Sequence, residues 1–384
     1  MKVFTYLFGL VLFLASCTSN KPNWEKAKCT INFGECESVV PSDVFSVSFV
    51  KLETDDDCLI GSITQAEEYG GVFYLLDAFI TKTVFAFDKQ GKYIGTVGRV
   101  GNGPGEYVIP SSFFIDEKLN AVCVIDVEQQ KLIGYSLNGY QLMFEKKLPF
   151  SSTAMRFMED GNIVYYNQEY KIGEPLYNLI VTDKNNDVQK KMMEQEFVSG
   201  YKMGMTRKLY SVGKLVSAYT HQAPFLCRVK SDTIVPAYEF KFGEYQLPPL
   251  DFLQKEGSNN NNYIPALMAS DYVNFYEVYE NEQMLCVPYY VAKTMFYGWY
   301  DKKHSKTYNY KLEDMTSSLK SGPFSTPIGT TSDGKFISLL RTGQLMGMKA
   351  EGQKFVKELE GLIAQSEEDD NPILLLLKEQ QDER

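Results

Sequence analysis

Gly71-Val-Phe-Tyr-Leu-Leu-Asp77 leads through Lys82 to Val84-Phe-Ala-Phe-Asp-Lys-Gln-Gly91. Beyond the Gly-rich junction Gly98-Arg-Val-Gly-Asn-Gly-Pro-Gly-Glu-Tyr107, the phrase returns as Ala121-Val-Cys-Val-Ile-Asp126, Lys131 and Leu132-Ile-Gly-Tyr-Ser-Leu-Asn-Gly139. Asp77 to Asp126 and Gly91 to Gly139 are offset by 49 and 48 residues, a spacing typical of four-stranded propeller blades. Each copy is a pair of short apolar runs ending in turn residues, the pattern of a β-hairpin.

Working outward, the theme recurs four more times in looser form. Asp160–Tyr166 precedes Tyr177–Asp183, Gly213–Tyr219 precedes Pro224–Val229, Gln283–Pro288 precedes Met295–Asp301, and Asp333–Leu340 precedes Pro372–Lys378. Six strand-only repeats of this length hide their apolar faces by stacking around an axis. Closing such a ring calls for a first and a last strand in one blade, and Val44–Leu52 and Ile373–Leu377 are the isolated strands at the two ends. The expected fold is therefore all-β, a six-bladed β-propeller closed by its N- and C-terminal strands. One short helix is expected within Gln353–Ser366, where Phe355, Leu359, Leu362 and Ile363 share a face. A two-sheet sandwich is the competitor, and it explains neither the equal spacing nor the terminal strands. Ser258–Asn262 reads as a polar loop.

Bulk composition agrees. The 384 residues are 44% hydrophobic and include 26 Tyr and 25 Phe, residue types that favour strands. A net charge of −10 repels a phosphate backbone, and no Lys/Arg-rich run offsets it, so nucleic acid is not an expected partner.

The first residues stand apart. Met1-Lys2 is a short basic start, Val3–Leu14 is almost wholly apolar, and Ala15-Ser16-Cys17 closes the run. It is too short to span a bilayer and reads as a signal peptide. Leu14-Ala-Ser-Cys17 resembles a bacterial lipobox, which makes Cys17 the lipidation site and puts the protein in the bacterial cell envelope, held to a membrane by lipid. Thr18 rather than Asp follows Cys17, which under enteric sorting rules points to the outer membrane. The expected organisation is a signal peptide over residues 1–16, a tether over 17–42 and the propeller over 43–384. Export allows disulfides, and Cys29 with Cys36 is one possible pair, whereas Cys123, Cys227 and Cys286 lie in apolar runs and read as buried free thiols.

Taken together, Val50–Ile63, Phe87–Ile94, Gly98–Tyr107 and Asp369-Asp-Asn-Pro-Ile-Leu374 make the chain resemble the six-bladed β-propeller lipoproteins of Bacteroides-type bacteria, distant relatives of NHL-repeat propellers. The resemblance implies the fold and export. It implies no catalytic residue and no cofactor.

Few residues point to chemistry. The Gly98–Tyr107 loop offers consecutive N–H groups and Arg99 to an anion. The plainer account is a connector with Pro104-Gly105 in a type II turn and Glu106 paired to Arg99. Of the two histidines, His304 follows Asp301-Lys-Lys303 at an expected hairpin tip, solvated, while His221 lies in a loop that a propeller can turn toward its axis. Two histidines, no Cys-x-x-Cys and no His-Glu-x-x-His leave no expected metal site. Asp55–Asp57 and Glu367–Asp370 lack the spacing of a calcium loop. Tyr165-Tyr166 and Tyr289-Tyr290 offer ring faces to a sugar, but packing between blades accounts for most such residues. The expected function is a non-catalytic binding or scaffold module for a glycan, a peptide or an envelope protein, with Arg99, Tyr107, His221 and Arg341 as candidate ligand contacts. The alternative is a carbohydrate-active enzyme, a polysaccharide lyase or glycosidase, with its site in the central funnel.

Overall fold

The computed structural model describes residues 27–167, 175–195, 197, 208–257 and 263–380. The expected signal peptide, Cys17, the first part of the expected tether and the polar stretch at 258–262 lie outside the described residues.

Six four-stranded sheets follow one another along the chain. Blade 1 is Gln65–Tyr69, Val72–Asp77, Thr83–Asp88 and Tyr93–Thr96; blade 2 is Pro110–Asp116, Ala121–Asp126, Lys131–Ser136 and Leu142–Lys147. Blade 3 runs from Ser152–Phe157 through Ile163–Asn167 and Leu176–Thr182 to Val188–Gln195. Blade 4 runs from Leu209–Val212 through Leu215–Thr220 and Ala223–Val229 to Ile234–Lys241. In blade 5 a broken inner strand, Phe275–Tyr276 and Tyr279–Glu280, precedes Met284–Val291, Thr294–Asp301 and Lys306–Lys311. Middle strands touch neighbouring blades on both faces, so they are continuously apolar rather than alternating: Ala121–Asp126 is buried at every residue.

Blade 6 closes the ring. Gly329–Thr330, Phe336–Leu340 and Ile373–Glu379 come from the C-terminal end, and Phe45–Lys51 supplies the outer strand. The terminal strands pair antiparallel in unbroken register from Phe45 opposite Glu379 to Lys51 opposite Ile373. At the inner edge Gly329 and Thr330 lie parallel to Ala66 and Glu67 of blade 1. Only glycine fits at 329, because a Cβ there would sit 1.7 Å from the Ala66 carbonyl oxygen.

Two motifs are now explained. Asp77, at the end of a second strand, accepts from the N–H groups of Gly61 and Ser62 in the preceding connector and of Phe79 and Ile80 in the following turn. Asp126 does the same for Val108, Ile109, Glu128 and Gln129. The repeated aspartate thus fastens a blade's entry to its own turn. Asn371, nearly buried, donates to the carbonyls of Glu53 and Cys58 and accepts from Ile60, tying the C-terminal motif to the Val50–Ile63 motif.

Three expectations need correction. The tether reading of residues 17–42 fails from Cys29 onward: Cys29–Asn32 adds a parallel fifth strand to the outer edge of blade 4, Cys29 opposite Tyr238, with Ile31 and Phe33 buried. A four-residue strand ending in polar Asn carries too little pattern to stand out. The expected helix forms at Lys357–Ile363, but it is one of six among the described residues, with Pro41–Val44, Leu250–Gly257, Tyr263–Met268, Leu312–Leu319 and Thr342–Ala350. Finally, Cys29 and Cys36 are free thiols, as are the buried Cys123, Cys227 and Cys286.

Blades 4 and 5 are locked by charge. Glu280, with no exposed side-chain surface, receives Arg228 through two bonds of 2.7 and 2.6 Å and Lys302 at 2.6 Å. Removing one partner of a buried ion pair strands the others without compensation. Glu280→Ala is expected to lower unfolding free energy by about 3–5 kcal/mol in urea titrations, and Glu280→Gln by less, because it keeps the shape and part of the hydrogen bonding.

Candidate functional site

Antiparallel blades sort their loops. The turns between second and third strands and the links from blade to blade all leave from one face of the ring, and the remaining turns from the other. Arg99, His221 and Arg341 all belong to the first, or connector, face. The four candidate residues nevertheless do not form one site.

Arg99 has 79% of its side chain exposed and pairs with Glu106 at 2.6 Å. Glu106 also accepts from the Gly103 N–H at 2.7 Å, so the loop's own carboxylate fills the anion nest. Pro104-Gly105 occupies the centre of a turn closed by Glu106 N–H donating to Gly103 O at 3.1 Å, with Gly105 at φ +69°. Tyr107 is completely buried and its hydroxyl donates to the Val97 carbonyl at 2.8 Å, so it holds the connector and faces no ligand. Arg341 is exposed at the start of the Thr342–Ala350 helix.

His221 is different. It sits in the two-residue turn after Leu215–Thr220, and Tyr276 of blade 5 fixes that turn by donating its hydroxyl to the Thr220 carbonyl at 2.5 Å. Gln195 of blade 3 reaches the Thr220 hydroxyl at 3.2 Å, and Gln222 donates to the Phe197 carbonyl at 2.8 Å. Glu277, in the break of blade 5's inner strand, brings one carboxylate oxygen to 3.4 Å from His221 Nε2. Its other oxygen accepts a short hydrogen bond from the Tyr219 hydroxyl. Lys208, just before blade 4, lies 5.9 Å over the Tyr166 ring of blade 3. The Tyr166 hydroxyl is buried and has no hydrogen-bond partner among the described residues. His221 and Glu277 keep 13% and 22% of their side-chain surface open.

The charges follow from these neighbours. Burial alone would raise the Glu277 carboxyl, but His221, the Tyr219 hydroxyl and Lys208 hold it below its ordinary value. Burial and then Lys208 depress His221, with Glu277 opposing. Burial also depresses Lys208 against the pull of Glu277. At neutral pH the site holds an ionised carboxylate beside an uncharged imidazole, with tyrosines whose hydroxyls stay protonated. That set can accept a hydrogen bond from a ligand amine or hydroxyl, or move a proton through His221.

Sequence reasoning reached His221 and missed Glu277, Lys208 and Tyr166, which come from three other blades or connectors. A lone carboxylate, Glu277, between Tyr276 and Tyr279 was the one signal available. His304 was expected to be solvated; it is half-exposed, with Nδ1 2.5 Å from Asp301.

Comparison with known proteins gives four findings. Residues 19–338 match the model of a family, DUF5128, described as a 6-bladed beta-propeller. A crystal structure from Bacteroides fragilis, of a protein described as a candidate exported protein, is 34% identical and superposes with a TM-score of 0.86 over 92% of this chain and 100% of its own. A member of a second Bacteroides family, duf4221 from Bacteroides vulgatus, shares the fold at 10% identity and a TM-score of 0.52, over 88% of this chain and 99% of its own. Among curated proteins, a Caenorhabditis elegans protein named as a peptidyl-alpha-hydroxyglycine alpha-amidating lyase is 24% identical over 134 residues, 34% of this chain. The chain spans about a third of that relative's length (36%).

With two histidines in the chain, proton NMR can follow each ring. His221 is expected to titrate below the ordinary 6.5, and Glu277→Gln to lower its midpoint further by removing the opposing carboxylate. A folded state with a depressed histidine binds fewer protons than the unfolded chain, so this residue's contribution makes stability rise with pH through the window from the folded midpoint up to 6.5.

Proposed function

The chain belongs to this 6-bladed beta-propeller family, and from that membership we propose an exported, lipid-anchored envelope module that binds a polar ligand on the connector face, around Glu277. The observation that carries the reading is Glu277: an ionised carboxylate, partly open, framed by His221 and Tyr219 where blades 3, 4 and 5 meet. A ligand amine or hydroxyl donates to it, and the Tyr166 hydroxyl, without a partner among the described residues, and the His221 ring beside Glu277 supply further polar contacts. Glycan fragments and peptides of the envelope carry such groups. The apolar run before Cys17 supports export, and Cys17 supports the lipid anchor. No helix among the described residues is long and apolar enough to cross a membrane.

A second reading has one observation in its favour. An uncharged His221 steered by Glu277 is arranged as a general base, and the curated relative is named as a lyase.

The two readings separate in one experiment. Protein lacking residues 1–17 is applied to an array of envelope oligosaccharides and peptides, with product analysis of everything retained. The binding reading expects a retained, unaltered ligand whose affinity falls about tenfold or more in Glu277→Gln, the loss of a hydrogen bond to a charged group, and roughly fivefold in Tyr166→Phe. An altered ligand, with turnover abolished in His221→Ala, replaces the module by the enzyme. An array with nothing retained defeats both.

A further inference from the structure

The opposite face of the ring carries a second cluster that the Glu277 site does not use. Asp301 ends the third strand of blade 5, His304 lies in the turn after it, and Glu379 ends the closing strand of blade 6. One ligand atom from each, an imidazole nitrogen and two carboxylate oxygens, lie within 4.8 Å of one another. They open onto a cavity of about 590 Å³ whose lining also includes Asp43, Lys303, Lys306 and Gln283.

We propose that Asp301, His304 and Glu379 bind a first-row divalent cation such as Zn²⁺, pinning a turn of blade 5 to the strand that closes the ring. Small side-chain rotations bring the three atoms to the roughly 2.0–2.2 Å ligand distances of such an ion, which takes the place of the proton shared between Asp301 and His304. A mixed nitrogen and carboxylate set is the choice of such ions rather than of Mg²⁺, which keeps its water shell. Three protein ligands leave a coordination position facing the cavity. The site is partly built in advance: Asp301 Oδ1 accepts the N–H groups of Lys303 and His304 at 2.9 and 3.0 Å, which aims Oδ2 at the imidazole. Two carboxylates and a half-exposed imidazole thus converge beside the cavity, a set that a cation can bridge.

The test uses protein lacking residues 1–17, stripped with EDTA and dialysed. Zn²⁺ alone is titrated by calorimetry and by thermal unfolding, with Mg²⁺ as the control ion. One equivalent of Zn²⁺ is expected to bind and raise the unfolding temperature, reversibly with EDTA, while Mg²⁺ at the same concentration does neither. Glu379→Gln and His304→Ala are each expected to weaken Zn²⁺ binding by tenfold or more, with unchanged circular dichroism confirming that the propeller still forms. Absence of binding overturns the proposal. So does Zn²⁺ binding that both variants retain, which would place the ion elsewhere, for example on the free thiols of Cys29 and Cys36.

Discussion

The backbone pairing of Phe45–Lys51 with Ile373–Glu379 is the constraint on which the rest depends. It joins residues more than 300 positions apart, and no other contact completes the sixth blade. Loop-closure entropy grows only slowly with length, so a ring this large is closed at modest extra cost once its strands can pair. The register is set from the N-terminal strand, where a slip of one residue would turn the buried Phe45 and Phe49 to the wrong face. The inner stitch of Gly329 to Ala66 then draws blades 6 and 1 together at the axis.

Closure also gives the ring two unlike faces. On the connector face, the aspartates of blades 1 and 2 spend all their hydrogen-bonding capacity on holding backbone. Blade 4 has Thr220 at the corresponding strand end, and its turn is held instead by Tyr276 and Gln195 from neighbouring blades. Where the repeated device is missing, His221 and Glu277 are brought together with part of their surface open. The opposite face is plainer, with short turns, and there the end of the closing strand meets blade 5.

How much was legible differs between fold and site. The match between residues 71–91 and 121–139 is local and strong, and with its four looser recurrences it carried the blade count and the closing pair, while the helix near the C-terminus was read from its own apolar face. Cys29–Asn32 was missed because the strand it pairs with, the edge of blade 4 at Tyr238–Lys241, is distant in sequence. The inner strand of blade 5 is broken at Glu277-Val278, so its rhythm lacks the regular alternation that marks a strand. Arg99 and Tyr107 stood out for their motif, and the motif proved to be architecture: Glu106 neutralises the one, and the Val97 carbonyl engages the other.

From the order of residues alone came the hairpins, their number and the scarcity of histidine. Those are properties of near neighbours, since a strand and its turn partner are adjacent in the chain and their periodicity is written there. Which side chains meet across blades was decided only by the closed ring. Glu277 reaches His221, and Glu379 reaches Asp301 and His304, because radial packing sets the angle between successive sheets, and that angle has no counterpart in local sequence.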